Sequence, residues 1–315
     1  MTGYLVRRAA QAVVVVLGVT AVTFGLQQLI PGSLARAILG PRASRAEIAA
    51  FNQANGLGRP PIEQYLAFLG RLARGDLGYS YRLNQSVDSL VLHQLPNDVV
   101  VVGTALVLAL AIAIPLGIAQ AVRRNRAVDH AATAAAFALY SMPSYWLAIL
   151  LIAGLSITAH ALPAEAPQAA TIGGLLADPV ALILPVLTLT LVNVALFSRY
   201  MRSAAISTLA EDYIRVARAK GTPPRRILTR HVLRNSLISV TTLIGLSFPA
   251  ILTSGLVVEY VFNVPGIGLT YYTAAVNADY PVELGIAVLI GLVTVAGNLL
   301  ADLAYVILDP RIRYE

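Results

Sequence analysis

Cysteine is absent from the sequence of 315 residues. Its absence excludes disulfide bridges, thiolate metal sites, cysteine nucleophiles and lipid attachment through cysteine. Charge is also scarce, because Asp, Glu, Lys and Arg make up 12% of the residues while hydrophobic residues make up 57%. A typical soluble chain carries about 25% charged residues. The composition therefore excludes an ordinary water-soluble domain and favours a membrane protein.

Lysine is almost absent as well, since Lys220 is the single one and Gly221 follows it. A P-loop needs Lys followed by Ser or Thr, because the ammonium group must meet the phosphates of the nucleotide. The chain has no such motif, so if its function is driven by ATP, hydrolysis must occur on a partner. The four histidines are far apart, and neither H-E-x-x-H nor G-x-S-x-G occurs. The sequence predicts no enzyme activity and no cofactor or metal bound by this chain.

Long apolar stretches dominate the chain, each near the roughly 20 residues that a helix needs to cross about 30 Å of hydrocarbon. Their near-continuous runs of Ala, Val, Leu and Ile lack the alternation of barrel strands, so they indicate helices. The sequence predicts an all-α, polytopic membrane protein with six transmembrane helices, at Ala9–Ile30, Val99–Val122, Ala131–Thr158, Pro179–Phe197, Leu237–Phe262 and Leu284–Leu308. Prolines interrupt four of the six spans and permit kinks there, at Pro115, Pro143, Pro185 and Pro249.

Cationic residues in the connections predict the orientation. The amino terminus has Arg7 and Arg8, the connection after the second span has three arginines, the one after the fourth has nine cations, and the tail has Arg311 and Arg313. The two shorter connections on the opposite side contain no Lys or Arg. Both termini are therefore expected in the cytoplasm, with the chain in the cell membrane. Nucleic-acid binding is not needed to explain the net charge of +7.

This topology divides the chain into the first span at 1–30, an extracytoplasmic cap loop at 31–98, and a core at 99–315. In the cap loop, Ser44 and Glu47 have the spacing of a capping box. A second short helix follows, with apolar positions along one face. The cap either packs on the bundle as a lid or forms a docking surface or gate. The apolar positions of that face are Ile62, Tyr65, Leu66, Leu69 and Leu72.

The long inner connection, 199–236, is predicted to form a helical hairpin. Apolar residues at helical spacing from Ile206 to Val216 predict an amphipathic helix that ends at Gly221. Thr222 is expected to cap the next helix, with Pro223 at its first position. Such a hairpin could lie in the lipid interface or insert into another protein. A glycine break costs about 1 kcal/mol relative to Ala, which favours a compact protrusion that inserts into a partner.

Five strings, in this order and topology, resemble one known family. The resemblance covers essentially the whole chain and is to the permease subunits of bacterial ABC importers, specifically the B-type permeases of the dipeptide, oligopeptide and nickel group. The strings are Gly75–Ser80, Ala217–Gly221, His231–Leu237, Phe262–Gly268 and Asp309–Tyr314.

The resemblance implies that the inner loop is the coupling helix that fits a cleft in an ATP-hydrolysing subunit. When the family motif of Glu-Ala-Ala, three residues, Gly, nine residues and Ile-x-Leu-Pro is aligned on Gly221, only Ala217, Gly221 and Leu233 match. The residues expected to couple to the ATPase are Ala217, Lys220, Gly221, Arg225, Arg226, Leu233 and Asn235.

By the same resemblance, the chain forms half of a translocation pathway. Its expected partners are a second related permease, two ATP-binding subunits, an extracytoplasmic substrate-binding protein and the lipid bilayer. Peptide is favoured over nickel as cargo, because the chain has no cluster of His, Met or carboxylate residues. The alternatives are a secondary transporter or channel that works alone, and an intramembrane hydrolase.

Ionisable residues inside predicted spans are candidates for function, because burying a charge in hydrocarbon costs at least about 2.5–3.5 kcal/mol. Glu259 and Asp302 lie near the ends of the fifth and sixth spans, where they can reach the interface, and this favours a role in structure or gating over substrate recognition. Asn193 and Asn298 lie deeper, and could line a polar path or join helices at about 1 kcal/mol.

Overall fold

The computed structural model describes residues 2–29, 34–40 and 42–308, which are mostly helical. Ile30, Pro31 and the string Asp309–Tyr314, with Arg311 and Arg313, lie outside the described residues. The chain divides into two compact units, and each is described by itself below. One unit comprises Met1–Pro96 and Pro265–Val295, and the other comprises Asn97–Val264 and Ala296–Glu315.

The first unit contains the first long helix, the cap and two later helical segments. Its elements are α1 (Thr2–Leu29), α2 (Leu34–Leu39), α3 (Arg45–Ala54), α4 (Pro61–Leu72), strands β1 (Tyr79–Ser80) and β2 (Gln85–Ser86), the start of α5 (Val87–Val122), α13 (Ile267–Val276) and most of α14 (Tyr280–Leu308). The two strands pair antiparallel, with Tyr79 opposite Ser86.

The predicted capping box begins α3. The Ser44 Oγ accepts a hydrogen bond from the backbone N–H of Glu47 at 3.2 Å, and the Ser44 N–H donates to Glu47 Oε2 at 2.7 Å. These bonds satisfy two backbone donors that a helix start would otherwise leave unpaired. The prediction is confirmed.

The predicted apolar face of α4 is partly wrong. Ile62 and Leu66 are 63% and 58% exposed, whereas Phe68 is 3% exposed. Tyr65, Phe68 and Leu69 pack in one cluster, and they are spaced three and four residues apart, as one helical stripe requires. The stripe is therefore centred on Phe68, which the sequence-based face omitted.

The second unit contains the remaining helices. They are the rest of α5, α6 (Ala127–Ser141), α7 (Ser144–Leu151) with a π-helical turn at Ile152–Thr158, α8 (Ile172–Leu176), α9 (Ile183–Ala210), α10 (Asp212–Ala219), α11 (Pro224–Arg226) with a π-helical turn at Ile227–Val232, α12 (Leu233–Phe262) and the end of α14. Its core includes fully buried Leu184, Leu189 and Phe197 on α9.

Small residues bring the helices of the second unit close together. A Cβ added at Gly117 on α5 would lie 2.7 Å from the Met201 Cβ and 2.9 Å from the Arg202 backbone nitrogen on α9. A Cβ at Gly245 on α12 would lie 2.5 Å from the Ala301 Cβ on α14. Glycine is thus required at both crossings, because contact with a neighbouring helix leaves no room for a side chain.

Four of the described helices are long and apolar enough to cross a membrane. They extend beyond the predicted limits: α5 begins at Val87 rather than Val99, and α9 continues from Phe197 to Ala210. The segments are Val6–Leu29, Val87–Val122, Ile183–Ala210 and Tyr280–Ala304. The fifth predicted span, Leu237–Phe262, lies within the single helix α12.

The third predicted span is not one straight helix. Helices α6 and α7, the latter with its π-helical turn, meet at 104° and form a broken span or a re-entrant loop. Pro143 stands at the break, where Met142 is extended with ψ 127°. Proline supplies no N–H to the preceding turn and disfavours helical geometry at the residue before it. The predicted interruption at Pro143 is confirmed, and it is a sharp bend.

Candidate functional site

Helix α10 is short and ends in a well-defined glycine motif. Its last residue, Ala219, is followed by Lys220 and then by Gly221, whose φ is +76°. The Gly221 N–H donates to the Arg218 carbonyl at 2.9 Å, and the Thr222 N–H donates to the Ala217 carbonyl at 3.1 Å. This pair of bonds is the Schellman motif, which needs a left-handed residue after the helix and so favours glycine. The predicted break at Gly221 is confirmed.

An apolar cluster fixes α10 to the helices around it. Ile214 is fully buried and packs in one cluster with Ala121 of α5, Ala205 of α9, and Ile227 and Val232 of the π-helical turn. Burying an isoleucine side chain contributes about 1.5–3 kcal/mol. This apolar packing therefore holds the short helix against the ends of longer helices.

A polar contact ties the same helix to α12. Asn235 Nδ2 donates to the Tyr213 hydroxyl at 2.9 Å and to the His231 carbonyl at 2.8 Å. Burial, with a smaller contribution from the Glu211 carboxylate, raises the pKa of Tyr213 above 10.0. The hydrogen bond from Asn235, which the phenol oxygen accepts, opposes this rise.

The charged face of α10 and the following turn are exposed. Asp212 and Arg215 form an ion pair on that face. Lys220 and Gly221 are exposed beyond it, as are Arg225 and Arg226 on α11, whereas Ala217 and Leu233 are half-buried. Lys220, Gly221, Arg225 and Arg226 of the predicted coupling set thus lie exposed at or near the Gly221 turn. Asn235 of the same set links α12 to α10 through its hydrogen bond to Tyr213.

Two details of the predicted hairpin are wrong. The amphipathic helix does not run unbroken from Ile206 to Gly221, because Glu211 is extended with ψ 146° and separates α9 from α10. Thr222 does not cap the next helix, since Pro223 occupies the cap position and Pro224 the first helical position. Proline suits both positions because neither needs an N–H donor. The second helix then continues through the π-helical turn into α12.

The four gating or pathway candidates lie on three helices, α9, α12 and α14. Asn193 is 5% exposed and donates to the Leu189 carbonyl of its own helix at 2.8 Å. Glu259 is 2% exposed on α12. Asn298 and Asp302 are half-buried one turn apart on α14, and the Asn298 Oδ1 lies 3.6 Å from the position of a Cβ at Gly245.

An ion pair that sequence reasoning missed joins α6 to α9. Arg202 Nε and Nη2 donate to the two carboxylate oxygens of Asp129 at 2.6 and 2.7 Å. Asp129 is 2% exposed and also accepts the Asn125 N–H at 3.0 Å. Arg202 is one of the nine cations that the sequence places in the inner connection. No local pattern links two residues so far apart in sequence, so only the fold reveals the pair.

In the first unit, the cap packs against α1. The Tyr65 hydroxyl of α4 donates to the Leu17 carbonyl at 3.1 Å and lies 3.0 Å from the Thr20 Oγ1. The Phe24 and Tyr65 rings lie 5.4 Å apart between centroids. These contacts support the packing role of the cap and leave its possible docking role open.

A second polar layer holds α14 in that unit. Gln27 Nε2 donates to Glu283 Oε2 at 2.7 Å, and the Ser80 hydroxyl donates to Asp279 Oδ2 at 2.5 Å. Both carboxylates are 5% exposed. Sequence reasoning missed Glu283 because the predicted sixth span began one residue after it.

Long apolar helices define a multi-pass membrane protein, and its Gly221 turn is exposed and flanked by charged residues. Residues 113–314 match the family described as binding-protein-dependent transport system inner membrane component, and residues 1–102 match its N-terminal domain family. The chain belongs to this family of transport permeases.

Similar proteins extend over the full chain. The sequence is 35% identical over 316 residues to the oligopeptide transport system permease protein AppB of Bacillus subtilis (strain 168), covering 100% of both chains. It is 36% identical over 320 residues to the "Probable D,D-dipeptide transport system permease protein DdpB" of Escherichia coli (strain K12), covering 95% of this chain and 94% of the other. The predicted resemblance to peptide permeases is confirmed.

Proposed function

We propose that this chain is the membrane-spanning subunit of an ATP-driven ABC importer for peptides and forms half of the translocation pathway. The family and its peptide-permease relatives support this function. The mechanism rests on helix α10 and the turn that follows it. Buried Ile214 packs α10 against the neighbouring helices, and α10 ends in the Schellman motif at Gly221. A rigid element of this kind transmits displacement instead of absorbing it.

In this proposal the turn around Gly221 faces the cytoplasm and fits a cleft in an ATP-binding subunit. The coupling surface comprises Ala217, Lys220, Gly221, Arg225, Arg226 and Leu233, with Asn235 holding α10 in position. ATP and Mg bind to the partner subunits, which close on nucleotide and move α10. Because α10 packs against α5, α9 and the start of α12, its displacement rocks these helices between inward-facing and outward-facing states.

The proposed assembly contains six spans from this chain, a second homologous permease, two ATP-binding subunits and an extracytoplasmic substrate-binding protein that docks near the cap. Both termini lie in the cytoplasm. Nucleic acid has no role. Asn193, Glu259, Asn298 and Asp302 are proposed to line or gate the pathway.

Peptides are the proposed cargo. Two relatives carry oligopeptide or dipeptide transport in their names. Within the described residues, no group of three or more His, Cys, Asp or Glu side chains could hold a metal ion, so nothing there favours nickel over peptide. Selection among peptides is assigned to the binding protein.

The test is to purify the intact complex through a tag on this chain, identify its subunits, and reconstitute it in liposomes. Peptides presented with the binding protein should stimulate ATP hydrolysis and accumulate inside, whereas nickel should do neither. Peptide flux through this chain alone, without any ATPase, would instead support the stand-alone transporter or channel.

A further inference from the structure

A cavity of about 600 Å³ opens in the second unit between the end of α5, the end of α9 and the α10 turn. This volume lies within the range of about 300–1,000 Å³ that is typical of small-molecule sites. Most of the lining is apolar, and the rest includes two arginines. Its lining includes Val122, Arg124, Ile206, Leu209, Arg218 and Leu228.

The two arginines give the cavity its charge. Arg124 is the second residue after the end of α5, Arg218 belongs to the last turn of α10, and both are exposed. Within residues 2–29, 34–40 and 42–308, neither guanidinium pairs with a carboxylate. The nearby Asp129 is occupied by Arg202, and Asp212 by Arg215. Two unpaired cations beside an apolar surface favour a ligand that has both an anionic group and a hydrocarbon part.

The position of the cavity along α5 indicates which ligand this is. From residue 99 to its end at Val122, α5 is apolar except at Thr104 and Gln120, and three arginines follow within four residues, at positions 123, 124 and 126. An apolar helix that ends in a basic cluster places the cluster at the lipid headgroups, where basic pockets between transmembrane helices bind anionic lipids. The headgroup layer is about 5–7 Å thick on each side of the hydrocarbon.

We propose that this cavity binds one anionic phospholipid, whose phosphate contacts Arg124 and Arg218 and whose glycerol and first acyl carbons lie along Ile206, Leu209 and Leu228. The proposal rests on the proposed function only for the cytoplasmic placement of α10. The lipid would link the end of α5 to α10, so that the coupling helix stays docked on the bundle while its charged outer face remains free for the ATPase.

The first experiment measures retained lipid by native mass spectrometry of the intact complex, after detergent exchange and addition of phosphatidylglycerol. The double variant Arg124→Ala/Arg218→Ala should bind phosphatidylglycerol about 30-fold more weakly than the parent, since each cation near the surface strengthens binding by about fivefold. The control Arg74→Ala/Arg230→Ala removes the same charge from exposed arginines outside both the cavity and the basic cluster after α5 and should bind like the parent. Equal losses in both double variants would overturn the proposal.

A second variant tests the cavity without changing any charge. Ile206→Trp fills the apolar lining and should also exclude the lipid, while phosphatidylcholine binding to the outside of the bundle stays unchanged. Retention of phosphatidylglycerol by Ile206→Trp at the parental level would contradict the assigned site.

A third measurement separates the lipid from a protein occupant. In nanodiscs of phosphatidylcholine alone, the parent should lose peptide-stimulated ATP hydrolysis relative to nanodiscs that contain phosphatidylglycerol, with all subunits still bound. Release of the ATP-binding subunits from Arg124→Ala/Arg218→Ala in both lipids, with no specific lipid on the parent, would show that the ATPase covers the cavity. Specific lipid retention by a chain that binds no ATPase would support the lipid site and contradict only the proposed function.

Discussion

Gly221 matters because of its backbone and not because of crowding within this chain. Its φ is +76°, and a Cβ added there would meet nothing within 4 Å. A left-handed conformation costs most residues about 1–2 kcal/mol, whereas Asn adopts it more readily. The structure therefore allows backbone strain to be separated from contact with a partner.

We expect Gly221→Leu to uncouple or disassemble the complex. Gly221→Asn introduces a side chain close in size to leucine, but asparagine tolerates a positive φ. This variant should therefore keep more of the coupling than Gly221→Leu. The measurement is ATP-dependent peptide uptake in liposomes, together with the ATP hydrolysis rate. Normal uptake by Gly221→Leu would contradict the assignment of this turn to coupling, and equal loss in both variants would assign the defect to contact with the partner.

The ion pair between Asp129 and Arg202 should be strongly coupled in stability. Breaking a buried pair on one side leaves an uncompensated charge, at a cost of about 3–5 kcal/mol, and the 27% exposure of Arg202 places this pair near the lower end. We expect Asp129→Asn and Arg202→Gln each to destabilise the protein by about 3 kcal/mol, and the double variant by less than the sum. Unfolding of the parent, both single variants and the double variant in detergent gives the four free energies of this double-mutant cycle. Strictly additive losses would show that the two residues are not energetically coupled.

Asp279 should make the first unit sensitive to pH. Burial raises its pKa above 3.8, while hydrogen bonds from Ser80 and the Val282 N–H oppose the rise. Because the folded pKa exceeds the unfolded one, the stabilisation is complete below pH 3.8 and is lost as the pH rises through the folded value. Asp279→Asn keeps a capping side chain and removes the charge. The melting temperature of Asp279→Asn, relative to that of the parent, should therefore rise from acidic to neutral pH. A difference in melting temperature that does not change with pH would contradict this prediction.

At the scale of elements, close helix contact depends on glycine at particular crossings. The Gly117 position on α5 leaves 2.7 Å to the Met201 Cβ, whereas Gly103 on the same helix has nothing within 4 Å of an added Cβ. The two positions therefore form a matched pair for testing the contact between α5 and α9.

Gly117→Ala should destabilise the protein by about 1–3 kcal/mol, because α5 and α9 must separate or distort. Gly103→Ala should be neutral or stabilising by up to about 1 kcal/mol, because alanine favours the helix. Thermal unfolding of the purified chain compares them. A similar effect at both positions would mean that helix propensity, and not the crossing, determines the response.

Sequence patterns located most helices but not their exact extent or bends. The capping box at Ser44 and the glycine stop at Gly221 are local signals, and both were predicted correctly. The early start of α5 and the break at Glu211 were missed, because polar residues within a helix and an extended residue between two helices leave no periodic signal. Proline marks where a bend can occur, but only the structure gives the angle of 104° at Pro143.

At the scale of the whole molecule, the predicted orientation can be tested directly because the chain has no cysteine. Single cysteines at Arg74→Cys in the cap and Arg215→Cys on α10 replace exposed residues. A membrane-impermeant maleimide should label the first in intact cells and the second only after permeabilisation. The reverse pattern would place the coupling turn outside the cell and refute the proposed connection to ATP.

The sequence by itself determined the class of the protein: its apolar runs dictate membrane helices, its lack of a P-loop excludes nucleotide binding by that motif, and its motifs identify the transport family. These properties follow from composition and short-range patterns, which need no knowledge of the fold. Only the tertiary structure decided that Asp129 meets Arg202, that Ile214 anchors α10, and that Arg124 and Arg218 line one cavity. Such contacts join residues distant in the chain, and their energies depend on packing that no local pattern encodes.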